Sequence, residues 1–200
     1  MIELQRNTEP LELRTYRLQH PGRSWDDPDF QMLKPIVRRQ LNHEQEGLCI
    51  YCEGKLHEDE GHLEHIKFKR GNPSLTFVYD NLAHSCDGPG HCGHHKQQHV
   101  LPIEPGPGCN RFFVLMAQDG ILKRKNQQAE ETVQILGLNA PSLARQRKSY
   151  IDAVCSLSNR EEVDEFLSTA PFRWSLRGIF DPEDVSAPKG VRLNRDTESV

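Results

Sequence analysis

The stretch from Cys49 to Lys96 constrains this chain more than any other. It opens on Cys49-Ile50-Tyr51-Cys52, passes through His62-Leu63-Glu64-His65 and Asp80-Asn81-Leu82, and closes on Cys86, Cys92 and Gly93-His94-His95-Lys96. Of the ten histidines, only His20 lies outside the interval from His43 to His99. Two pairs of closely spaced cysteines are the usual donor set of a structural zinc site, so Cys49-x2-Cys52 with Cys86-x5-Cys92 reads as a tetrahedral centre. The second spacing is wide, which leaves His91 or His84 as a replacement for one thiol. Cys109 and Cys155 read as ordinary small hydrophobes.

Composition fits a metal-supported fold. The hydrophobic fraction is 36% and the mean hydropathy -0.70, low for 200 residues that must hold a large core unaided. No segment is apolar enough to span a bilayer and Met1-Ile2-Glu3-Leu4 has no signal-peptide pattern. Cysteines spaced among histidines favour thiolates in a reducing cytoplasm over disulfides. A net charge of -4 provides no global attraction for nucleic acid. Phosphate contacts would fall to local residues: Lys67, Lys69, Arg70, Lys96, Arg111 and Lys123-Arg124-Lys125.

Along the chain, Pro10, Pro21-Gly22 and Asp27-Pro28 predict turns and extended segments up to about residue 39. Met32, Leu33, Ile36, Val37 and Leu41 predict an amphipathic helix over Phe30 to Glu46, with Pro35 near its start and Gly47 ending it in a left-handed conformation. Alternation over Leu63 to Lys69 predicts a strand. Gly71-Asn72-Pro73-Ser74 reads as a loop, Thr76 to Tyr79 as a second strand, and His94 to about Val100 as a short helix. Asp119-Gly120 predicts a hairpin between Arg111–Ala117 and Ile121–Lys125. Helices follow over Gln127 to Leu136, stopped by Gly137, and from Pro141 through Val154, capped by Asn139. Ser158 with Glu161 reads as a capping box for a further helix, and 181–200 as a polar, flexible tail.

Taken alone, Glu64-His65 between the two cysteine pairs suits hydrolysis: an imidazole with a near-neutral pKa can activate water, and a carboxylate can hold a hard cation. The pattern Cys49-x2-Cys52, Glu64-His65, Asn81-Leu82, Cys86, Cys92 and Lys96 resembles the HNH (ββα-metal) endonuclease family. The extended match Gln45-x-Gly47-Leu48-Cys49-Ile50-Tyr51-Cys52-Glu53, Glu64-His65-Ile66, Asp80-Asn81-Leu82 and His91-Cys92-Gly93 is similar to the nuclease subunit of Septu anti-phage systems, PtuB, also found with retrons. Val133 to Asn139 and on through Leu143, Arg145 and Arg147-Lys148 resembles it too, so the likeness covers about residues 1 to 170.

The resemblance implies an α+β protein: an N-terminal arm and helix over 1–46, a zinc-stabilised ββα core over 47–101, and a hairpin with C-terminal helices over 102–180. It implies His65 as general base, Asn81 as the residue aiming it, and Lys96 as a phosphate contact. Cys49, Cys52, Cys86 and Cys92 would hold structural Zn²⁺, and Glu64 with His94 or His95 a catalytic Mg²⁺ or Mn²⁺. The third HNH position falls on Gly93, a departure that leaves His94 and His95 as alternatives. His62 reads as a residue beside the metal or substrate, or as an exposed histidine. The implied partners are an ABC/SMC-like ATPase subunit (PtuA), a DNA or RNA substrate and, in a retron setting, the reverse transcriptase with its msDNA. The rivals are an RNA (tRNA)-directed nuclease with the same site and a non-catalytic zinc adaptor.

Overall fold

Residues 1–180 are described by a computed structural model, and the tail expected over 181–200 lies outside them. Among the described residues, seven α-helices and two small antiparallel two-stranded sheets are arranged around two cores. Helix α1 (Leu11–Gln19) and helix α2 (Pro28–Glu44) pack against each other at the N-terminus. Strands β1 (His62–His65) and β2 (Leu82–Ser85) and helix α3 (Cys92–Lys96) make the central ββα unit. Strands β3 (Phe113–Leu115) and β4 (Leu122–Arg124) precede α4 (Gln127–Ile135), α5 (Pro141–Cys155), α6 (Arg160–Thr169) and α7 (Arg173–Phe180).

The N-terminal pair corrects the expectation of extended chain. Pro10 and Pro21-Gly22 bound α1 rather than prevent it, and its buried face, Leu13 and Tyr16, has a partner surface in α2. The Tyr16 ring packs 5.3 Å from Phe30 and from Phe77. In α2, the Asp27 side chain accepts from Asp29 N at 3.0 Å with Pro28 at the first position, so the helix begins before Phe30. Pro35 is therefore inside the helix, not near its start. Phe30, Val37 and Leu41 are buried, and the chain leaves through Glu46 (φ 54°) and Gly47 (φ 71°), whose N–H reaches Asn42 O at 2.9 Å.

The second central strand also differs from expectation. Residues 76–78 form no strand; 3₁₀ turns occupy Pro73–Leu75 and Tyr79–Asn81, and the pairing strand is Leu82–Ser85. Phe77 and Tyr79 pack into the α1–α2 core, so their apolar character serves tertiary burial instead of a sheet ladder. The register pairs His62 with Ser85, Leu63 with His84, Glu64 with Ala83 and His65 with Leu82.

A larger core joins the first residues, the cysteine turn and the C-terminal helices. Ile2 N donates to Ile50 O and Ile50 N to His84 O, which lays the arm and the turn alongside β2. Buried Glu53 (φ 64°) accepts from Ser175 N and Oγ at 3.0 and 2.7 Å, and its carbonyl accepts from Phe172 N, tying the start of α7 to the turn. The β3–β4 hairpin matches expectation, with Gly120 at φ 72°. Two caps do not. Asn139 pairs with the Leu122 backbone in both directions, leaving Ala140 to start α5, and Asn159, accepting from Glu162 N, caps α6 in place of Ser158. Among the described residues no helix is long and apolar enough to cross a membrane.

Candidate active site and metal centre

The four cysteines converge. Cys49 Sγ lies 3.7 Å from Cys92 Sγ, Cys52 Sγ lies 3.8 Å from Cys86 Sγ, and all four sulfurs fall within 4.8 Å of one another. A tetrahedron with Zn–S bonds near 2.3 Å has an edge of about 3.8 Å, so the donor set fits zinc in size and softness. Burial together with the adjacent sulfurs pushes the Cys92 thiol well up, while S–H donation from Cys49, Cys52 and Cys92 holds Cys86 down. Cys49 is likewise held down and Cys52 pushed up, so two of the four thiols are favoured as thiolates and two opposed, a conflict that a divalent cation removes. His84 does not join the cluster: its Nε2–H donates to Glu60 O at 2.7 Å and its Nδ1 faces Asn42 Nδ2. His91 sits beside the sulfurs, with Nδ1 3.1 Å from Cys92 Sγ. Outside the cluster, Cys109 is buried as expected, whereas Cys155 is exposed.

Alternation along β1 sorts the neighbouring residues onto two faces. His62 and Glu64 face α3. There Glu64 Oε1 accepts from Lys96 Nζ at 2.7 Å and from the Tyr51 hydroxyl at 3.2 Å, and Oε2 lies 3.3 Å from His62 Nε2. Burial would raise the Glu64 carboxyl, but the His62 hydrogen bond and the Lys96 ammonium hold it below the usual carboxylate range. Burial would likewise lower His62, yet its bonds to Glu64 and Asp87 raise it.

His65 turns to the other face, under the N-terminal core. Its ring meets Trp25 edge-on at 4.3 Å, and its Nε2 lies 3.0 Å from Thr76 O. A carbonyl can only accept, so Nε2 carries the hydrogen and Nδ1 keeps a lone pair. Burial, opposed by the Thr76 bond, lowers the pKa to about 4, which keeps the ring neutral. Asn81 braces the loop that supplies Thr76: its Nδ2 donates to Lys67 O and Leu75 O at 3.0 and 3.2 Å, and its Oδ1 accepts from Lys67 N at 2.8 Å. Lys34 and Lys69 lie over the Trp25 ring at 4.8 and 5.3 Å, a cationic border around His65. Of the other expected phosphate contacts, Lys67 lies 3.8 Å from Glu104 and Arg124 2.8 Å from Glu130.

Two sequence expectations need correcting. Lys96 is 1% exposed and is spent on Glu64 and on His65 O at 2.9 Å, so it is a buried brace rather than a phosphate contact. His95 points away, its Nδ1 2.8 Å from Ile135 O beside α4. His94 does lie at the site edge: its Nε2 is 2.9 Å from Asp87 Oδ1 and its ring 4.6 Å from that of His62. His62, Asp87 and His94 together offer ligand atoms within 4.8 Å of one another. Sequence reasoning left His62 undecided and missed Asp87, Tyr51 and Trp25. The i, i+2 spacing of His62 and Glu64 on a strand was a usable signal; the other three arrive by tertiary packing.

No protein-family model matches the chain. A protein of Vibrio cholerae serotype O1 biovar El Tor, carrying the name of an HNH endonuclease of retron Vc95, is 36% identical over 204 aligned residues, spanning 90% of this chain and 99% of the relative. With that similarity along nearly its full length, and with a ββα unit that sets Glu64-His65 beside a four-cysteine cluster, the chain belongs to the HNH endonuclease family.

Proposed function

We propose that this protein is a metal-dependent nuclease that hydrolyses phosphodiester bonds as the effector of an anti-phage system, with an ABC/SMC-like ATPase as its controlling partner. The observation that carries the reading is His65: a neutral imidazole at the end of β1, its Nε2–H held by Thr76 O and its Nδ1 lone pair left for a proton. Nδ1 takes a proton from water as the oxygen attacks phosphorus, and the P–O bond to the leaving oxygen breaks. Asn81 positions this base by holding both ends of the loop that carries Thr76. Lys96 keeps Glu64 ionised and aimed. Glu64, with a neighbouring histidine, would hold a divalent cation, which when bound supplies positive charge to the phosphate. The four cysteines would hold zinc and fasten α3 to the 49–52 turn.

The relative's name supports a retron setting, in which a reverse transcriptase and its msDNA are further partners. Exposed Leu11, Leu18 and Met32 on α1 and α2 support the N-terminal arm as the ATPase-docking surface, alongside the helices over 127–136 and 141–157. Lys34, Lys69 and Trp25 support nucleic acid as the substrate near His65, by charge and stacking. An RNA-directed enzyme would use the same groups. A zinc adaptor would leave the Nδ1 of His65 and the Lys96–Glu64 pair without a purpose.

The test is cleavage of phage DNA, plasmid and total tRNA by the chain with its ATPase, in Mg²⁺ or Mn²⁺, comparing wild type with His65→Ala. Loss of a proton acceptor lowers the rate by about 10²–10⁴-fold at unchanged zinc content. Equal behaviour of the two proteins would instead favour the adaptor.

A further inference from the structure

The space between β1 and the first turn of α3 is occupied in an unusual way. A Cβ placed on Gly93 would lie 2.6 Å from His62 Nε2 and 2.8 Å from Glu64 Oε2, so the imidazole and the carboxylate fill the volume that a side chain from the helix would need. Glycine is a poor helix residue, and its presence here is explained by that crowding. The two facing atoms are hydrogen-bonded to each other. Glu64 Oε1 is held by Lys96 and Tyr51, which leaves Oε2 toward His62. His62 Nδ1 lies 2.7 Å from Asp87 Oδ1, which fixes the hydrogen on Nδ1 and turns Nε2 toward Glu64.

We propose that His62 Nε2 and Glu64 Oε2 are the protein ligands of the catalytic divalent cation, with Asp87 positioning the imidazole and Gly93 keeping the space open. The two atoms are 3.3 Å apart, against about 3.0 Å for adjacent ligands of an octahedral cation of this size. A carboxylate behind the far nitrogen of a ligating histidine is the arrangement that orients such ligands and raises their basicity. The hydrogen now shared between Nε2 and Oε2 lies where the cation would enter. One imidazole and one carboxylate favour Mn²⁺ over Mg²⁺, because imidazole is a poor ligand for the harder ion. His94, on the solvent side of Asp87, steadies that carboxylate.

This assignment rests on the nuclease reading only for what the cation is used for, and the test separates the two. Mn²⁺ alone is titrated into the zinc-loaded chain and followed by electron paramagnetic resonance, with nitrogen modulation of the spin echo reporting an imidazole ligand. Wild type is expected to show the modulation. His62→Ala is expected to lose it and to bind Mn²⁺ about 10–100-fold more weakly at unchanged zinc content. His94→Ala and His95→Ala are expected to keep it. Gly93→Ala adds only a methyl group and improves helix propensity, so a folded Gly93→Ala protein with weakened Mn²⁺ binding supports the proposal without touching His62. Modulation that persists in His62→Ala, or that disappears in His94→Ala instead, overturns it. If His65→Ala abolishes cleavage while His62→Ala binds Mn²⁺ normally, this metal assignment fails and the nuclease reading stands. If Mn²⁺ binding depends on His62 but the complex cuts no nucleic acid, the metal site stands and the nuclease reading fails.

Discussion

Lys96 and Glu64 form a buried ion pair, Nζ to Oε1 2.7 Å, that joins α3 to β1 directly behind the site. Lys96 is fully enclosed and Glu64 nearly so. The same ammonium donates to His65 O, so one side chain holds the backbone of His65 and the carboxylate beside it.

Lys96→Met should therefore act on stability and on Glu64 rather than on substrate contact. Removing one partner leaves a buried charge, a loss of about 3–5 kcal/mol measurable by urea unfolding of the zinc-loaded protein. The salt dependence of nucleic-acid binding should keep its slope, because no phosphate contact disappears. A flatter slope would restore Lys96 as a phosphate ligand.

Asn81→Ala removes three hydrogen bonds that span the loop carrying Thr76, and strands the Lys67 N–H with two carbonyls. The expected loss is about 3 kcal/mol. Cleavage should fall while Mn²⁺ affinity stays within about twofold, since no proposed ligand moves. Affinity falling in parallel with rate would show that the loop holds the metal face as well.

The pH dependence follows from His65. Its pKa in the folded protein is about 4, lowered first by burial, against about 6.5 for a free histidine. Between those values the unfolded chain binds a proton that the native protein does not. The contribution is complete above pH 6.5 and is lost as pH falls to 4, about 3 kcal/mol in all. Trp25→Ala admits water to the ring, so the imidazole should titrate closer to 6.5. Histidine NMR of both proteins reads this directly, and an unmoved resonance would remove Trp25 as the cause of burial.

Metal removal should separate the two centres. Chelating metal held by the cysteines, or Cys49→Ala, should collapse the main core, because four converging thiols would be left buried in its centre without a cation; far-UV dichroism and zinc content would fall together. Glu64→Gln should leave zinc content unchanged and abolish Mn²⁺ binding, with a loss of stability because Lys96 keeps a buried charge without its partner. Retained near-native dichroism after zinc loss would show that Glu53 and its bonds to Ser175 suffice to hold the turn.

By itself, the sequence determined the local and ligand-bearing features. Cysteine spacing announces a four-sulfur centre because zinc demands four donors at short range, and the sulfurs do meet within 4.8 Å. Asp119-Gly120 announces its hairpin because tight turns demand a positive φ, and Gly120 has φ 72°. The helices from Gln127 and Pro141 follow from apolar periodicity and end signals of the same local kind. Tertiary structure decided what depends on which surface each element meets. Thr76 to Tyr79 reads as a strand until α1 and α2 claim Phe77 and Tyr79 as core, and then pairing passes to Leu82–Ser85. Gly93, His94 and His95 are sequence neighbours, but helical rotation sends His95 to Ile135 and His94 to Asp87. The space at Gly93 is filled from β1, by His62 and Glu64. Lys96 reads as a phosphate ligand until burial pairs it with Glu64, since an enclosed charge must find an opposite one.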